Sequence, residues 1–210
     1  MRKLILGSVL LAGACIVPST AGAQQRSFAT NPPSVSADVA VTFTLERADV
    51  VPTQCCFWLK GGAADAAFTF WKGIGVAASV SGDQVSNYAP GYDVNKIAIL
   101  VGPRYTRSLW ADSARDGYRN RFQVYGDGLF GEVHAFDGTF PSGSVFKSTA
   151  GSVALQTGGG VNMLLSRNFG IRVIEADYIR TLLPNGSANV QNDMRLAFGM
   201  TYHLGRAPRP

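Results

Sequence analysis

Polar and apolar residues alternate along most of the chain beyond residue 37. The clearest example is the last segment, where large apolar residues fill every second position from Met194 to Leu204 and small or polar residues lie between them. Because successive side chains of a β-strand point to opposite faces, this alternation predicts a strand that separates two different environments. Seven further segments show a strand pattern, at 38–46, 64–70, 74–81, 96–105, 122–133, 153–163 and 171–181.

Two of these segments are less regular than the others. The two faces of the segment at 122–133 are poorly separated. In the segment at 171–181, Arg172 lies on the opposite parity from Glu175 and Asp177. Either Arg172 lies at a strand end, or a β-bulge, which inserts one extra residue, resets the register there.

The predicted connections between the strands alternate in length. Short connections lie at 71–73 and 166–168, and longer polar connections cover 48–54, 84–93, 136–152 and 182–191. Short turns at one end and long loops at the other are typical of transmembrane β-barrels. The segment at 106–117 departs from this scheme, because it is long where a short turn is expected. The pattern therefore predicts an all-β protein, an eight-stranded antiparallel up-and-down transmembrane β-barrel.

The composition agrees with strands rather than membrane helices. The chain has 210 residues, of which 46% are hydrophobic and only 16% are charged, whereas an ordinary soluble domain has about 25% charged residues. The length fits one domain, and the apolar content excludes a disordered chain. The longest apolar run, Leu4–Val17, is shorter than the roughly 20 residues of a spanning helix.

The N-terminus has the features of a secretory signal peptide. Arg2 and Lys3 precede the apolar run, and Ala21-Gly22-Ala23 follows it. A basic start, a short apolar core and an A-x-A site predict a signal peptide at 1–23 that is cleaved after Ala23. The alternative is a lipoprotein signal that ends at Cys15. The remaining domains are then an N-terminal periplasmic segment at 24–36, the barrel at 37–205 and a C-terminal tail at 206–210.

Alternation alone is also compatible with a soluble, lipocalin-like periplasmic ligand carrier. Its water-facing residues would be rich in Lys and Glu, but here the polar face consists mostly of Ala, Gly, Ser, Thr and Asn. Small residues suit the crowded inside of an eight-stranded barrel. The apolar face carries Phe68, Phe70, Phe198 and Tyr202, which suits lipid contact with aromatic girdles. These observations favour the membrane barrel.

Several motifs resemble those of a known family. They are Gly102-Pro103-Arg104-Tyr105, Leu129-Phe130-Gly131, Gly158-Gly159-Gly160, Phe169-Gly170-Ile171-Arg172 with Glu175-Ala176-Asp177-Tyr178, and Arg195-Leu196-Ala197-Phe198-Gly199. The chain resembles the small eight-stranded barrel domains of the outer membrane protein A and surface-antigen type, found in Gram-negative bacteria.

The resemblance covers nearly the whole mature chain and implies a porin-like barrel fold in the cell outer membrane. The expected partners are the lipid bilayer with its lipopolysaccharide and, during biogenesis, the outer-membrane assembly machinery. That machinery recognises the last strand of the family, and Gly199, Tyr202 and Leu204 match its ending. The tail Gly205–Pro210 departs from the family, whose chains end at the strand. A monomer is expected.

Charged residues on the polar face must be paired if they lie inside the barrel. The first and last strands close the barrel antiparallel, so a register that places Glu46 beside Arg195 also places Asp38 beside His203, because both pairs of numbers sum to 241. We hypothesise that Arg195 is a salt-bridge hub among Glu46, Glu175 and Asp177; the alternative is that these charges are hydrated at the rim. The candidate interior charges are Asp38, Glu46, Asp65, Asp83, Lys96, Arg104, Asp127, Glu175, Asp177, Arg195 and His203.

Cys55 and Cys56 are the cysteines of the mature chain. They are adjacent, too close for the ligand spacing of a zinc site. Three states are possible: two free thiols, disulfide bonds to another chain, or a strained disulfide between the two adjacent cysteines. The neighbouring Phe57 and Trp58 are girdle aromatics or a binding patch. No metal and no cofactor is expected, and the dispersed basic residues do not indicate nucleic-acid binding.

The expected function is therefore a non-catalytic one, in envelope structure, surface interaction or minor permeability. Side chains about fill an eight-stranded barrel, which argues against an open pore. The alternatives are a membrane-embedded lipid-modifying enzyme and the soluble carrier. An enzyme needs a nucleophile and a base within reach of each other, but His134 and His203 are the only histidines, and no spacing signature links them to a nucleophile.

Overall fold

A computed structural model describes the barrel as seven stretches of chain. The described residues are 35–48, 57–89, 92–109, 121–142, 145–166, 168–184 and 189–205. They form the strands β1 (Ser36–Ala48), β2 (Phe57–Trp71), β3 (Ile74–Ala89), β4 (Tyr92–Leu109), β5 (Arg121–Ser142), β6 (Val145–Leu164), β7 (Phe169–Thr181) and β8 (Gln191–Gly205).

Each strand pairs antiparallel with its neighbours in sequence, and β8 pairs with β1, so the sheet closes into a barrel. This confirms the predicted eight-stranded up-and-down architecture. We call the end where β1 begins and β8 finishes the terminal end, and the opposite end the loop end. No helix within the described ranges is long and apolar enough to cross a membrane.

The side chains alternate between the lumen and the outside as the sequence pattern predicts. Phe68, Phe70, Phe198 and Tyr202 all lie on the outer surface, together with most other large apolar side chains. Small and polar residues face the lumen. Towards the loop end, the lumen also contains an apolar cluster that includes Leu59, Val94, Val133, Phe140 and Leu183.

Two connections are shorter than the sequence pattern predicts. The segments at 84–93 and 136–152 were expected to be long loops, but they are mostly strand, because β3 reaches Ala89 and β6 begins at Val145. The periodicity fades there while the backbone pairing continues. The residues at 106–109 belong to β4, and 110–120 lie outside the described residues.

The predicted short turn at 71–73 is confirmed. Lys72 and Gly73 connect β2 to β3 with positive φ angles of 45° and 89°. Two consecutive positive φ values are typical of the two-residue hairpin turn that matches the twist of the strands. At the other predicted short connection, β6 ends at Leu164 and β7 begins at Phe169.

The irregular parity in β7 comes from a bulge. The register of β7 against β8 shifts between Arg172 and Glu175, and the two residues between them, Val173 and Ile174, both lie on the outer surface. Of the two explanations offered by the sequence, the bulge is therefore correct. Its consequence is that Arg172 and Glu175 both face the lumen.

Candidate functional site

A single row of paired residues winds once around the inside of the barrel. It leaves β1 at Ser36 and returns to β1 at Glu46, ten residues further along. The row contains Ser36, Thr69, Gly75, Arg104, Asp127, Gly158, Asp177, Arg195 and Glu46. Its charged members, Arg104, Asp127, Asp177, Arg195 and Glu46, alternate in sign except where Gly158 separates two carboxylates.

Arg195 is fully buried beside two acidic residues of β7. Its Nε and Nη2 atoms donate to Asp177 Oδ2 at 3.1 and 2.9 Å, and its Nη2 lies 3.8 Å from Glu175 Oε1. Glu46 is the register partner of Arg195 in β1. Its carboxylate, however, pairs with Lys96 from across the lumen. The structure thus brings Arg195 to Asp177 and Glu175, and assigns Glu46 to another cation.

Two further cations complete the network. Arg172 Nη1 lies 2.5 Å from Glu175 Oε2 and also pairs with Asp65. Arg104 donates to Asp127 Oδ2 from Nε at 2.9 Å and from Nη2 at 2.5 Å. The Tyr125 ring lies close to both guanidinium groups, with its centroid 4.3 Å from Arg104 Cζ and 4.9 Å from Arg172 Cζ.

Sequence reasoning missed three members of this interior. Arg172 was left out because the bulge in β7 reverses its parity. Asp193, which lies 3.4 Å from Lys96 Nζ, has the same parity as Arg195 and would have been found by extending the last strand by one residue. Tyr125 belongs to the strand whose faces are poorly separated, so no sequence signal marked it.

The β1–β8 register places Asp38 opposite His203, as the sum of 241 predicts. The His203 imidazole Nδ1 contacts the Asp38 carboxylate near the terminal end of the lumen. His134 lies elsewhere, on the outer face of β5, with its Nε2 3.5 Å from Glu132 Oε2. The structure therefore does not bring the two histidines together.

The glycine run of β6 makes room for the network. A Cβ atom on Gly158 would lie 2.1 Å from Asp177 Oδ1, and a Cβ on Gly160 would lie 2.6 Å from the Tyr125 hydroxyl. Any larger residue would displace the carboxylate or the ring. Close approach of neighbouring side chains thus explains Gly158 and Gly160, and at Gly159 a Cβ would lie 2.3 Å from the backbone oxygen of Tyr125.

Acids outnumber bases inside the barrel. The buried carboxylates are Glu46, Asp65, Asp83, Asp127, Glu175, Asp177 and Asp193, and the buried cations are Lys96, Arg104, Arg172 and Arg195. Among the described side chains, this is seven acids against four bases. One oxygen each of Glu46, Asp83, Asp127 and Asp177 is buried without a hydrogen-bond partner in the described part of the chain.

Several features predicted from the sequence fall outside the described part of the chain. Cys55 and Cys56, the cleavage site at Ala23 and the tail at 206–210 lie outside the described residues. Phe57 packs against the apolar cluster of the lumen, whereas Trp58 lies on the outer surface. Across the described ranges, no group of three or more His, Cys, Asp or Glu side chains is arranged to hold a metal ion.

The outer surface is an apolar belt with a polar edge. Along β1, apolar outward residues run from Val35 to Leu45 and end at Arg47. Ten steps of about 3.3 Å on a strand tilted by roughly 40° span about 25 Å along the barrel axis. Seven strands carry an outward polar residue at the loop end of the belt, which we call the polar ring: Arg47, Lys60, Gln84, Asn95, Glu132, Arg180 and Asn192.

The terminal end of the belt is aromatic. Trp71 and Tyr105 are exposed there, with Lys72 Nζ 5.3 Å from the centroid of the Trp71 ring. Phe169 and Tyr202 make an edge-to-face contact with ring centroids 5.7 Å apart. Amphipathic rings at the edge of an apolar belt are the pattern of a membrane–water interface.

Comparison with known proteins supports the fold. No protein-family profile matches the sequence, and no curated protein is similar to it in sequence. Among solved structures, Neisserial surface protein A is similar with a TM-score of 0.53 and 14% identity, over 79% of this chain and 96% of that chain.

Two weaker similarities involve the same kind of barrel. Ail, the attachment invasion locus protein of Yersinia pestis, has a TM-score of 0.48 and 13% identity over 81% of this chain and 99% of that chain. The N-terminal β-barrel domain of Pseudomonas aeruginosa OprF has a TM-score of 0.39 and 12% identity over 80% and 97%. At these identities the similarities concern the fold alone, which is that of small eight-stranded outer-membrane barrels.

Proposed function

We propose that the protein is an integral outer-membrane β-barrel without catalytic activity, exported by its signal peptide. The observation that supports this is the apolar belt, which is about 25 Å tall and matches the apolar band of transmembrane barrels. A soluble carrier would expose this belt to water, although large contiguous apolar patches are rare on soluble monomers. The surroundings of the barrel are then the lipid bilayer and its lipopolysaccharide, and the protein works as a monomer.

The packed interior favours a structural role over solute passage. The residues of the salt-bridge network and of the apolar cluster are buried inside the barrel. A diffusing solute would have to break buried ion pairs, each of which is costly to separate. Any residual permeability would favour cations, because the interior contains more acids than bases.

Heat-modifiable mobility tests the membrane proposal. The mature chain, refolded in detergent, is expected to migrate differently in a gel before and after boiling, because the closed barrel resists the gel detergent until it is heated. The control is the same chain kept in urea, which should show only the boiled position. A chain that is soluble without detergent and shows no shift would support the soluble carrier instead.

A surface-interaction role is supported by a two-stranded ribbon at the loop end, whose two strands pair only with each other among the described residues. The ribbon comprises 137–142 of β5 and 145–152 of β6. Pairing of β4 with β5 ends at Phe136, and pairing of β6 with β7 ends at Ala154. Among the described residues, the edge of β6 at 145–152 therefore has no neighbouring strand. Such an edge can add an extended segment of another protein as a further strand.

Hydrogen exchange tests whether the ribbon edge is free. Alternate amides along 145–152 should exchange fast, because every second amide points away from β5, while amides within 153–163, between two strands, stay protected. Amide exchange measured by NMR in detergent micelles distinguishes the two groups. Uniform protection of 145–152 would mean that the edge is already covered, and would contradict the surface-interaction role.

A further inference from the structure

The charges of the polar ring are unevenly distributed around the barrel. Arg180 of β7, Arg47 of β1 and Lys60 of β2 lie on one side. The outer faces of β7, β8, β1 and β2 contain no acidic residue among the residues described. Among the residues described, the outward acids at the loop end are Asp93, Glu132 and Asp137, and they lie on β4 and β5. On the described outer surface at the loop end, the side formed by β7, β8, β1 and β2 is thus basic, and the side formed by β4 and β5 contains the acids.

The three cations form a compact group, which we call the basic arc. Arg47 is the register partner of Trp58, and Lys60 is the partner of Leu45, so Arg47 and Lys60 are diagonal neighbours about 7–8 Å apart. Arg180 is separated from β1 only by β8. With strands about 4.8 Å apart, the arc spans about 15 Å from β7 to β2.

Aromatic and polar side chains flank the arc. Trp58 is 50% exposed beside Arg47. Tyr178 lies two residues before Arg180 on the same face of β7. Its hydroxyl group donates a hydrogen bond to Asn192 Oδ1 at 2.5 Å. Trp and Tyr prefer the headgroup level of a bilayer. If the belt occupies the hydrocarbon layer, the guanidinium and ammonium groups of the arc lie at the level of the lipid headgroups.

We propose that the basic arc binds the phosphate groups of outer-leaflet lipids. The proposal rests on the membrane location proposed above and names the lipid class that this side of the barrel selects. Guanidinium groups bind phosphate oxygens with paired, charge-assisted hydrogen bonds. Each cation near an anionic lipid surface strengthens association roughly fivefold. The acidic side of the ring repels the same phosphates, so the lipids bind at β7, β8, β1 and β2.

A triple variant tests the arc. Wild type, R47Q/K60Q/R180Q and the matched control K72Q/R107Q/K147Q are refolded into phosphatidylcholine vesicles with and without diphosphorylated lipid A. The control removes the same charge from outward cations at the terminal end and on the ribbon. Gel mobility first establishes that each protein is folded, and urea titration then gives its folding equilibrium constant in both vesicles.

Lipid A is expected to raise the folding equilibrium constant of the wild type and of the control by on the order of a hundredfold, from three cations at roughly fivefold each. The arc variant should lose most of this gain, and each single variant should lose about fivefold. Equal losses in the arc variant and the control would overturn the arc, because they would indicate non-specific attraction.

The remaining outcomes separate the arc from the membrane proposal. If the wild type has the same folding equilibrium constant in both kinds of vesicle, the proposal that the arc binds lipid phosphates is wrong, but the membrane location is not affected. If soluble inorganic phosphate raises the folding equilibrium constant in phosphatidylcholine vesicles as much as lipid A does, the arc binds a free anion and not specifically a lipid. A wild type that enters neither vesicle would overturn the membrane location, and the arc with it.

Discussion

Replacing Arg195 by methionine is expected to lower the free energy of unfolding by about 3–5 kcal/mol, the usual effect of removing one partner from a buried ion pair. Arg195 is among the most deeply buried side chains of the barrel. It neutralises Asp177 through two hydrogen bonds. The variant leaves this carboxylate in the lumen without its cation. Urea titration of the refolded protein, followed by gel mobility, measures the loss.

The matched controls for Arg195 separate charge from packing. The double variant with Arg195→Met and Asp177→Leu should recover much of the lost stability, because it removes both charges at once. Glu175 keeps Arg172 as its partner at 2.5 Å. Arg107→Met, on the outer surface, should change stability by less than about 0.5 kcal/mol. If Arg195→Met has an equally small effect, the interior network does not stabilise the barrel.

Placing arginine at Val41 is expected to cost about 2–4 kcal/mol in lipid vesicles, as a cation does at the bilayer midplane of a membrane barrel. Val41 lies near the middle of the apolar belt on β1, opposite Met200 of β8, and its side chain is 65% exposed on the outer surface. In water such a site would favour the charged residue. The sign of the change therefore reports the environment of the belt, and urea titration in vesicles measures it.

The same substitution at the edge of the belt provides the control. Asn192→Arg lies in the polar ring, where a cation costs only about 0–1 kcal/mol. The difference between the two variants should follow their depth in the bilayer. If Val41→Arg and Asn192→Arg have the same small effect in vesicles, the belt does not contact hydrocarbon, and the membrane location fails.

Strand length was predicted less well than strand number, and for a physical reason. The alternation of side chains reports two environments, and it is weak in the sequence of 136–152 although Phe140 and Ala150 still contact the apolar cluster of the lumen. Backbone pairing does not need that contrast, so β5 and β6 continue to Ser142 and from Val145. Likewise, a one-residue bulge leaves no sequence mark except a change of parity, which is why the sequence left two explanations open for Arg172.

The sequence by itself determined the eight strands, the face of most residues outside the irregular strands β5 and β7, and the closing register of β1 with β8. These follow from local periodicity and from charge matching between two strands that must meet. Only the tertiary structure decided which charges meet across the lumen. Glu46 faces Arg195 in the register but pairs with Lys96 of β4. That contact depends on the ten-residue offset between the two ends of a row of register partners in the closed sheet. The offset determines which residues of distant strands lie at the same height and can meet across the lumen.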